Sequence, residues 1–417
     1  MEKNYKVMQV KLKSFKRYWP ELLTFFSLAM LYFLCLPHTV QDLDSGEMVA
    51  KSFQLEVAHP PGYPLFIWVY YLFTHLVAID ALFWRAALFT MFFSLATLFL
   101  LYRALQHQHP HWSNLLWTFP LALSQLYWRY SLIPDVFMLH LFLCTLFFYV
   151  FMFTSSSSRQ QLWMALIAAF GMANHHSFIF LLPLFIIKRP RWRYLIISGL
   201  VLFLLYLSVL LMHPSSLYSW GLVDNLPALW RHLIRADYGT FQLSGRAQHL
   251  YFGEIFSLFG KNILSQFPLV LLLVLWPIVH FIQKRKIDTP YFLLLGLLIL
   301  YIAVFFSKAN IRPQGLGEDI VQRFYLLPLL FLYFLLVIAR RTFQGKVLGR
   351  IWIMGGLAGM VISLVNALNY YQDNNFSKNT IIEDYAYNLL QQIPRNRPAI
   401  LFVDSDTKFF AIHYQQN

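Results

Sequence analysis

Eight apolar runs decide what this chain can be. Leu22–Leu36, Leu82–Tyr102, Ile133–Phe153, Tyr194–Met212, Asn262–Ile282, Pro290–Phe306, Phe324–Ile338 and Ile351–Tyr370 each approach the roughly 20 residues that cross a bilayer. Hydrocarbon offers the backbone no water to bond, so such runs must satisfy their amides internally, as helices. The chain is 58% hydrophobic and 12% charged, far from the balance of a soluble globule. The expected fold class is therefore an all-α polytopic membrane protein.

A net charge of +14 can signal nucleic-acid binding, but here the basic residues sit in short clusters between apolar runs. That is the pattern of cytoplasmic loops, and no nucleic-acid partner is expected. The basic N-terminus leads into a run without a small-residue cleavage site, so a retained first span is expected. Both cysteines, Cys35 and Cys144, lie inside apolar runs, which implies no disulfide framework.

If the basic clusters at Lys11–Arg17, Arg103, Arg159, Lys188–Arg193, Gln283–Lys286 and Arg340–Arg350 are all cytoplasmic, an even number of crossings separates each neighbouring pair. Three apolar stretches lie between Arg17 and Arg103, so one cannot cross. Tyr63–Ile79 is the one to demote, because it follows a Pro-Pro-Gly turn and is rich in interface-seeking Tyr and Trp. It is expected to lie on or dip into the outer leaflet. Between Arg159 and Lys188, Leu162–Ile187 is interrupted at Asn174–Ser177 and is expected to form two short helices with the break outside. The total is about eleven transmembrane helices, with the N-terminus inside and the C-terminus outside. Residues 1–371 form the transmembrane domain, with outer loops at 39–61 plus interfacial 62–80 and at 213–261. Residues 372–417 form a short non-cytoplasmic tail.

This topology gathers the unusual polar residues on the outer side. Asp44 and Glu47, three apart, can form a capping box opening an amphipathic helix through Val57. They also offer a general base: a partly desolvated carboxylate at the membrane boundary can take a proton from an attacking hydroxyl. His59 either bonds locally beside Pro60 or contributes to a site. In "RFY", Arg323 and Tyr325 are either an interface anchor or a phosphate grip, with Arg312 and Lys308 able to assist. His175 and His176 are adjacent, which points them apart on a helix, so a divalent metal is the lesser option there and the residues single out no certain cofactor. Asp135 starts a helix after a proline, where the dipole favours it. In the long loop, Trp220, Trp230 and Tyr238 can stack on a sugar or anchor at the interface, with Asp237 beside them. A strand-like run ends at Asp404 and Asp406, where turn formation is the plain account. No Walker loop, GxGxxG, HExxH or CxxC is present.

"DSGE" followed by "VAHPPGYPL" resembles the hallmark of the transmembrane protein 260-like family, a group of multi-pass proteins similar to the GT-C glycosyltransferases. The similarity continues through "PDVFMLH", "GMANHHS", "DYG", "RFYLLP" and "VDSDT", and so covers most of the chain. The resemblance implies a GT-C-like bundle with interfacial helices in the first outer loop. It implies transfer of a sugar, mannose or another hexose, from a polyprenyl-phosphate-linked donor to a protein or glycan hydroxyl on the non-cytoplasmic side. The setting is a cell membrane, the inner one in a bacterium. Asp44 then becomes the base, with Glu47 its neighbour. "PDVF" departs from the family's acidic-Val-Tyr form. Many relatives also continue into a soluble domain past "DSDT", so acceptor recognition is expected to differ or to need a partner. The chief rival is a transporter or flippase of a lipid-linked sugar, which should carry ionisable groups near the bilayer midplane. A second rival is a non-catalytic assembly subunit, which has no need of an outward acid and arginine.

Overall fold

A computed structural model describes residues 19–416 apart from 155–156, 213–218, 241–249, 285–287, 310, 395, 397, 399 and 404–405. Lys11–Arg17, Arg246 and Asp404 therefore lie outside the described residues. Among the described residues the regular structure is all helical. Six helices are long and apolar enough to cross a membrane: Leu82–Gln108, Val136–Phe153, Trp192–Leu211, Thr289–Phe306, Leu316–Thr342 and Lys346–Asn374. Phe252–Gln266 and Pro268–Gln283, bent by 98° at their junction, make a seventh if they are one span. The continuous helix expected over Asn262–Ile282 thus breaks after Gln266, because Pro268 cannot donate the next backbone bond and clashes with the turn before it. The protein is a multi-pass integral membrane protein.

Burial orders the helices. Every residue of Leu326–Ala339 is buried, so this segment is the axis of the bundle. Trp192–Leu211 and Lys346–Asn374 bury only 17% and 22% of their most apolar windows and present Leu, Ile and Phe outward. Outward apolar faces of this kind suit lipid, which is as apolar as the side chains themselves.

Tyr63–Ile79 forms a helix only over Pro64–Leu76, whose 13 residues span about 20 Å, short of a 30 Å hydrocarbon core. It packs on the Ser45–Gln54, Leu82–Gln108 and Ser158–Asn174 helices. The break in Leu162–Ile187 falls where the sequence places it. Helix Ser158–Asn174 stops at Asn174, and a second short apolar helix runs over His176–Lys188. The two pack so tightly that a Cβ on Gly171 would lie 2.1 Å from the Phe178 ring.

Residues past the last long helix fold back onto the segment that leads into helix Ser45–Gln54. The Phe376 amide donates to the Cys35 carbonyl at 3.1 Å, and Thr39 Oγ1 to the Asn379 carbonyl at 2.9 Å. The strand-like run before Asp404 pairs with no strand among the described residues, and Asp406 opens a helix, Asp406–Gln416.

Candidate active site

Asp44 occupies the N-cap position of helix Ser45–Gln54, but its carboxylate bonds none of the helix's first amides. The expected capping box does not form. Asp44 instead pairs with Arg323, 279 positions away, and Glu47 turns to His59. The helix also ends at Gln54, short of Val57, because Leu55 takes the left-handed conformation at φ 54°. A capping box is a local solution. Here a tertiary cation outcompetes it, since a charged partner at contact distance is worth more than a backbone amide.

Three elements meet at Arg323. Its Nη1 reaches the Asp44 carboxylate and lies 3.6 Å from Asp135 Oδ2. Asp135 caps helix Val136–Phe153 as its position suggests, with Oδ1 accepting from the Val136 amide at 2.6 Å, which leaves Oδ2 for the guanidinium. Phe137 and Phe324 flank the Arg323 guanidinium at 5.7 and 5.5 Å. Arg129 fixes the approach of the two chain segments. It bridges Asp42, two residues before Asp44, at 2.5 Å and Asp319, four before Arg323, at 3.4 Å. Nothing around Arg129 in the sequence announced this.

Burial works against the Asp44 charge, but Arg323 and then His59 outweigh it and hold the carboxyl below the usual carboxylate value. Asp135 goes the other way. Its deeper burial exceeds the pull of Arg323, and Asp44 adds to the rise, lifting Asp135 to about 6. Two carboxyls on one guanidinium are thus pushed apart in acidity, which is how neighbouring acids come to hold different protonation states.

Glu47 is fully buried behind the cluster. It accepts from the His59 amide at 2.8 Å and from His59 Nδ1 at 2.6 Å, while His59 Nε2 meets the Tyr63 hydroxyl at 3.0 Å. Burial disfavours a charge on His59, yet Glu47 and then Asp44 raise its proton affinity above the ordinary value.

These groups open onto a cavity of about 1160 Å³. Asp44, His59, Asp135, His175, His176 and Arg323 supply its polar wall. Met172, Ile179, Phe180, Val304 and Phe305 line an apolar flank, and Lys308 stands at the edge, exposed. His175 bonds Ser177, and His176 Nε2 lies 3.0 Å from the Tyr206 hydroxyl. No group of three His, Cys, Asp or Glu able to hold a metal occurs among the described residues. Arg312 is exposed and is not part of the lining, and Tyr325 is buried with its hydroxyl donating to the Ile255 carbonyl at 3.1 Å. Asp237 is exposed, 3.9 Å from Arg231.

The long loop supplies a residue that the sequence did not single out. Arg235 follows helix Leu226–Leu233 with its backbone left-handed, φ 56°, a conformation uncommon outside glycine. It lines the cavity beside Tyr238, 5.2 Å from that ring, and its Nε is buried without a hydrogen-bond partner among the described residues. Its charge reaches Asp44, His59, Tyr63, His175 and His176, yet no described carboxylate lies within ion-pair distance of it. His232 anchors the loop by donating from Nε2 to the Ala58 carbonyl at 3.0 Å, as does the Trp220 amide to the Val57 carbonyl at the same distance. The aromatic residues nearby drew attention; the only signal for Arg235 was its place two residues before "DYG".

Residues 44–189 match a family model described as the Protein O-mannosyl-transferase TMEM260 N-terminal domain, so the match begins at Asp44. Protein O-mannosyl-transferase tmem260 of Dictyostelium discoideum is 27% identical over 92% of this chain and 54% of its own length. Protein O-mannosyl-transferase TMEM260 of Mus musculus is 26% identical over 94% of this chain and 59% of its own length. The chain thus spans little more than half the length of these relatives. In fold it is similar to ArnT from Cupriavidus metallidurans. The TM-score is 0.54 at 12% identity with the form bound to undecaprenyl phosphate, over 94% of this chain and 84% of that one. The apo form gives 0.53 at 13% identity. By sequence the chain is similar to the TMEM260 protein O-mannosyl-transferases, and by fold it is similar to ArnT.

Proposed function

We propose that the chain carries a GT-C glycosyltransferase site, transferring mannose or another hexose from a polyprenyl-phosphate-linked donor to a protein or glycan hydroxyl. The observation that carries this reading is a carboxylate of lowered proton affinity, Asp44, held against a buried arginine in the wall of a large cavity with one apolar flank. In the reaction, Asp44 takes the acceptor's proton as its oxygen bonds the anomeric carbon. The bond from that carbon to the phosphate oxygen breaks, and the electron pair leaves on the lipid phosphate. The bundle then crosses the membrane about eleven times, with Pro64–Leu76 interfacial and the cavity on the non-cytoplasmic face, as charge parity suggests. No metal is needed for this chemistry, and a divalent ion beside the phosphate is compatible with it.

The charges decide which residues take the phosphate. Arg323 already faces two carboxylates, so little of its charge is left over for a third anion. Arg235 and Lys308 reach the cavity without an ion-pair partner among the described residues and supply the missing positive charge. One charge-assisted bond to phosphate is worth about 1.5–3 kcal/mol. Arg235→Ala should therefore raise the donor KM about ten- to hundredfold, whereas Arg312→Ala, outside the lining, should leave it unchanged in initial-rate assays.

Asp135 gives this reading a pH signature. Below about 6 it is neutral; above, it adds a negative charge beside the phosphate site. Donor KM should rise about tenfold as pH increases through 6, the scale of one like charge at close range. Asp135→Asn should keep the low-pH KM throughout.

The reading is tested in cells by comparing lipid-linked sugars and glycosylated proteins between a deletion strain and its parent. Accumulation of one lipid-linked sugar with loss of one glycan is expected. Unchanged pools of both contradict it.

A further inference from the structure

The last described helix, Asp406–Gln416, is packed against the back of the helix that Asp44 opens. The contact is close enough that a Cβ on Gly46 would lie 3.1 Å from the Phe410 carbonyl oxygen and 2.9 Å from Val40. Five residues on, Lys51 is buried. Its Nζ donates to Glu56 Oε2 at 3.2 Å and to His413 Nε2 at 3.4 Å. Lys51, Glu56 and His413 are each only 2% exposed. An ammonium in such a place is costly unless every proton finds a partner, and the partner from outside the first loop is His413. Burial, then Lys51, push His413 down to about 4, so its imidazole is neutral and its Nε2 accepts from Lys51. At the near end of the same helix, Thr407 and Phe410 line the cavity alongside Leu43 and Asp44. The helix is held from the far side as well, by Gln415 donating to Glu383 at 2.9 Å.

We propose that helix Asp406–Gln416 is part of the transfer site: through the Lys51–His413 contact it positions Asp44, and through Thr407 and Phe410 it forms the wall against which the hydroxyl acceptor sits. The inference rests on the proposed transferase reading for the word acceptor, and on the packing alone for the positioning. The geometry favours the acceptor over the donor for this wall. Arg235 and Lys308, the cavity's cations without ion-pair partners among the described residues, come from the long loop and from just past the helix ending at Phe306. Thr407 and Phe410 bring no charge, and they adjoin the carboxylate that would take the acceptor's proton.

The experiment uses the whole chain in nanodiscs with a polyprenyl-phosphate-linked hexose and a hydroxyl-bearing glycan or peptide. Phe410→Ala and Thr407→Val should each raise the acceptor KM about tenfold and leave the donor KM within about twofold, a loss of roughly 1.4 kcal/mol in one substrate only. His413→Ala should lower kcat about tenfold at unchanged donor KM, and His413→Gln, whose amide oxygen can accept from Lys51, should restore it. Donor KM rising with acceptor KM unchanged, or His413→Gln as poor as His413→Ala, overturns the proposal. Hydrogen exchange separates this from the underlying reading. If no donor supports transfer by the parent protein, the transferase reading fails. Amide exchange over residues 45–54 then decides the positioning. Faster exchange in His413→Ala than in the parent and in His413→Gln supports it, and equal exchange in all three overturns it.

Discussion

Asp44→Asn is expected to abolish nearly all transfer while leaving the protein folded and the donor bound. Asparagine keeps the size of the side chain and an oxygen for Arg323, but it cannot take a proton. Positioned general bases contribute about 10²- to 10⁴-fold, and a loss of kcat on that scale is expected. The donor KM should not worsen; with one negative charge gone from beside the phosphate it should fall slightly. Asp135→Asn is the matched control. Asp135 shares the same guanidinium, but its Oδ1 is taken by the Val136 amide and its Oδ2 faces Arg323, so its variant should retain most of kcat. Initial rates against both substrates, with donor binding measured separately, distinguish loss of chemistry from loss of substrate.

Arg323→Ala is expected to have the largest effect on stability. Truncation leaves Asp44 and Asp135, 18% and 5% exposed at their side chains, facing one another without a cation. Breaking a buried pair by removing one partner costs about 3–5 kcal/mol, because the remaining charge stays desolvated. The pH dependence has a definite sign. Without the guanidinium, burial and mutual repulsion raise both carboxyls above their unfolded values, so the folded state binds the extra protons. Stability of the variant relative to the parent is then best in acid and is lost as pH rises through those raised values. Thermal unfolding at pH 5 and pH 8 should show the larger deficit at pH 8. Arg323→Lys should recover part of the stability, since a point charge offsets the carboxylates, but not the two-sided reach of a planar guanidinium. A deficit that is equal at both pH values would mean the two carboxyls do not depend on Arg323.

The all-helical, membrane-spanning class was legible in the sequence; partnerships between distant residues were not. Apolar runs marked the spans because hydrocarbon leaves the backbone no alternative to helix, and "NHHS" marked a break that the structure places at Asn174. The Pro-Pro-Gly turn and the Tyr- and Trp-rich stretch after it led to Pro64–Leu76, too short to cross. Asp44, Asp135 and Arg323 were each singled out as separate candidates. Their meeting was invisible, since 279 positions separate Asp44 from Arg323 and no spacing rule spans that distance. The capping box failed for the same reason, as a local pattern was overridden by a remote cation. Arg235 was missed because in the sequence it is one basic residue in a polar loop, and only its left-handed backbone and the anchoring of His232 turn it to the cavity. Lys51, Glu56 and His413 read as an ordinary amphipathic surface and a tail. What the sequence lacked in each case was the second chain segment.

The most direct test of the account counts two products in one reconstituted reaction. With the protein in nanodiscs, a polyprenyl-phosphate-linked hexose and a hydroxyl acceptor, each glycosylated acceptor should appear with one released polyprenyl phosphate, and both should vanish together in Asp44→Asn. Intact lipid-linked sugar recovered in full, or both products formed by Asp44→Asn at the parent's rate, would contradict it.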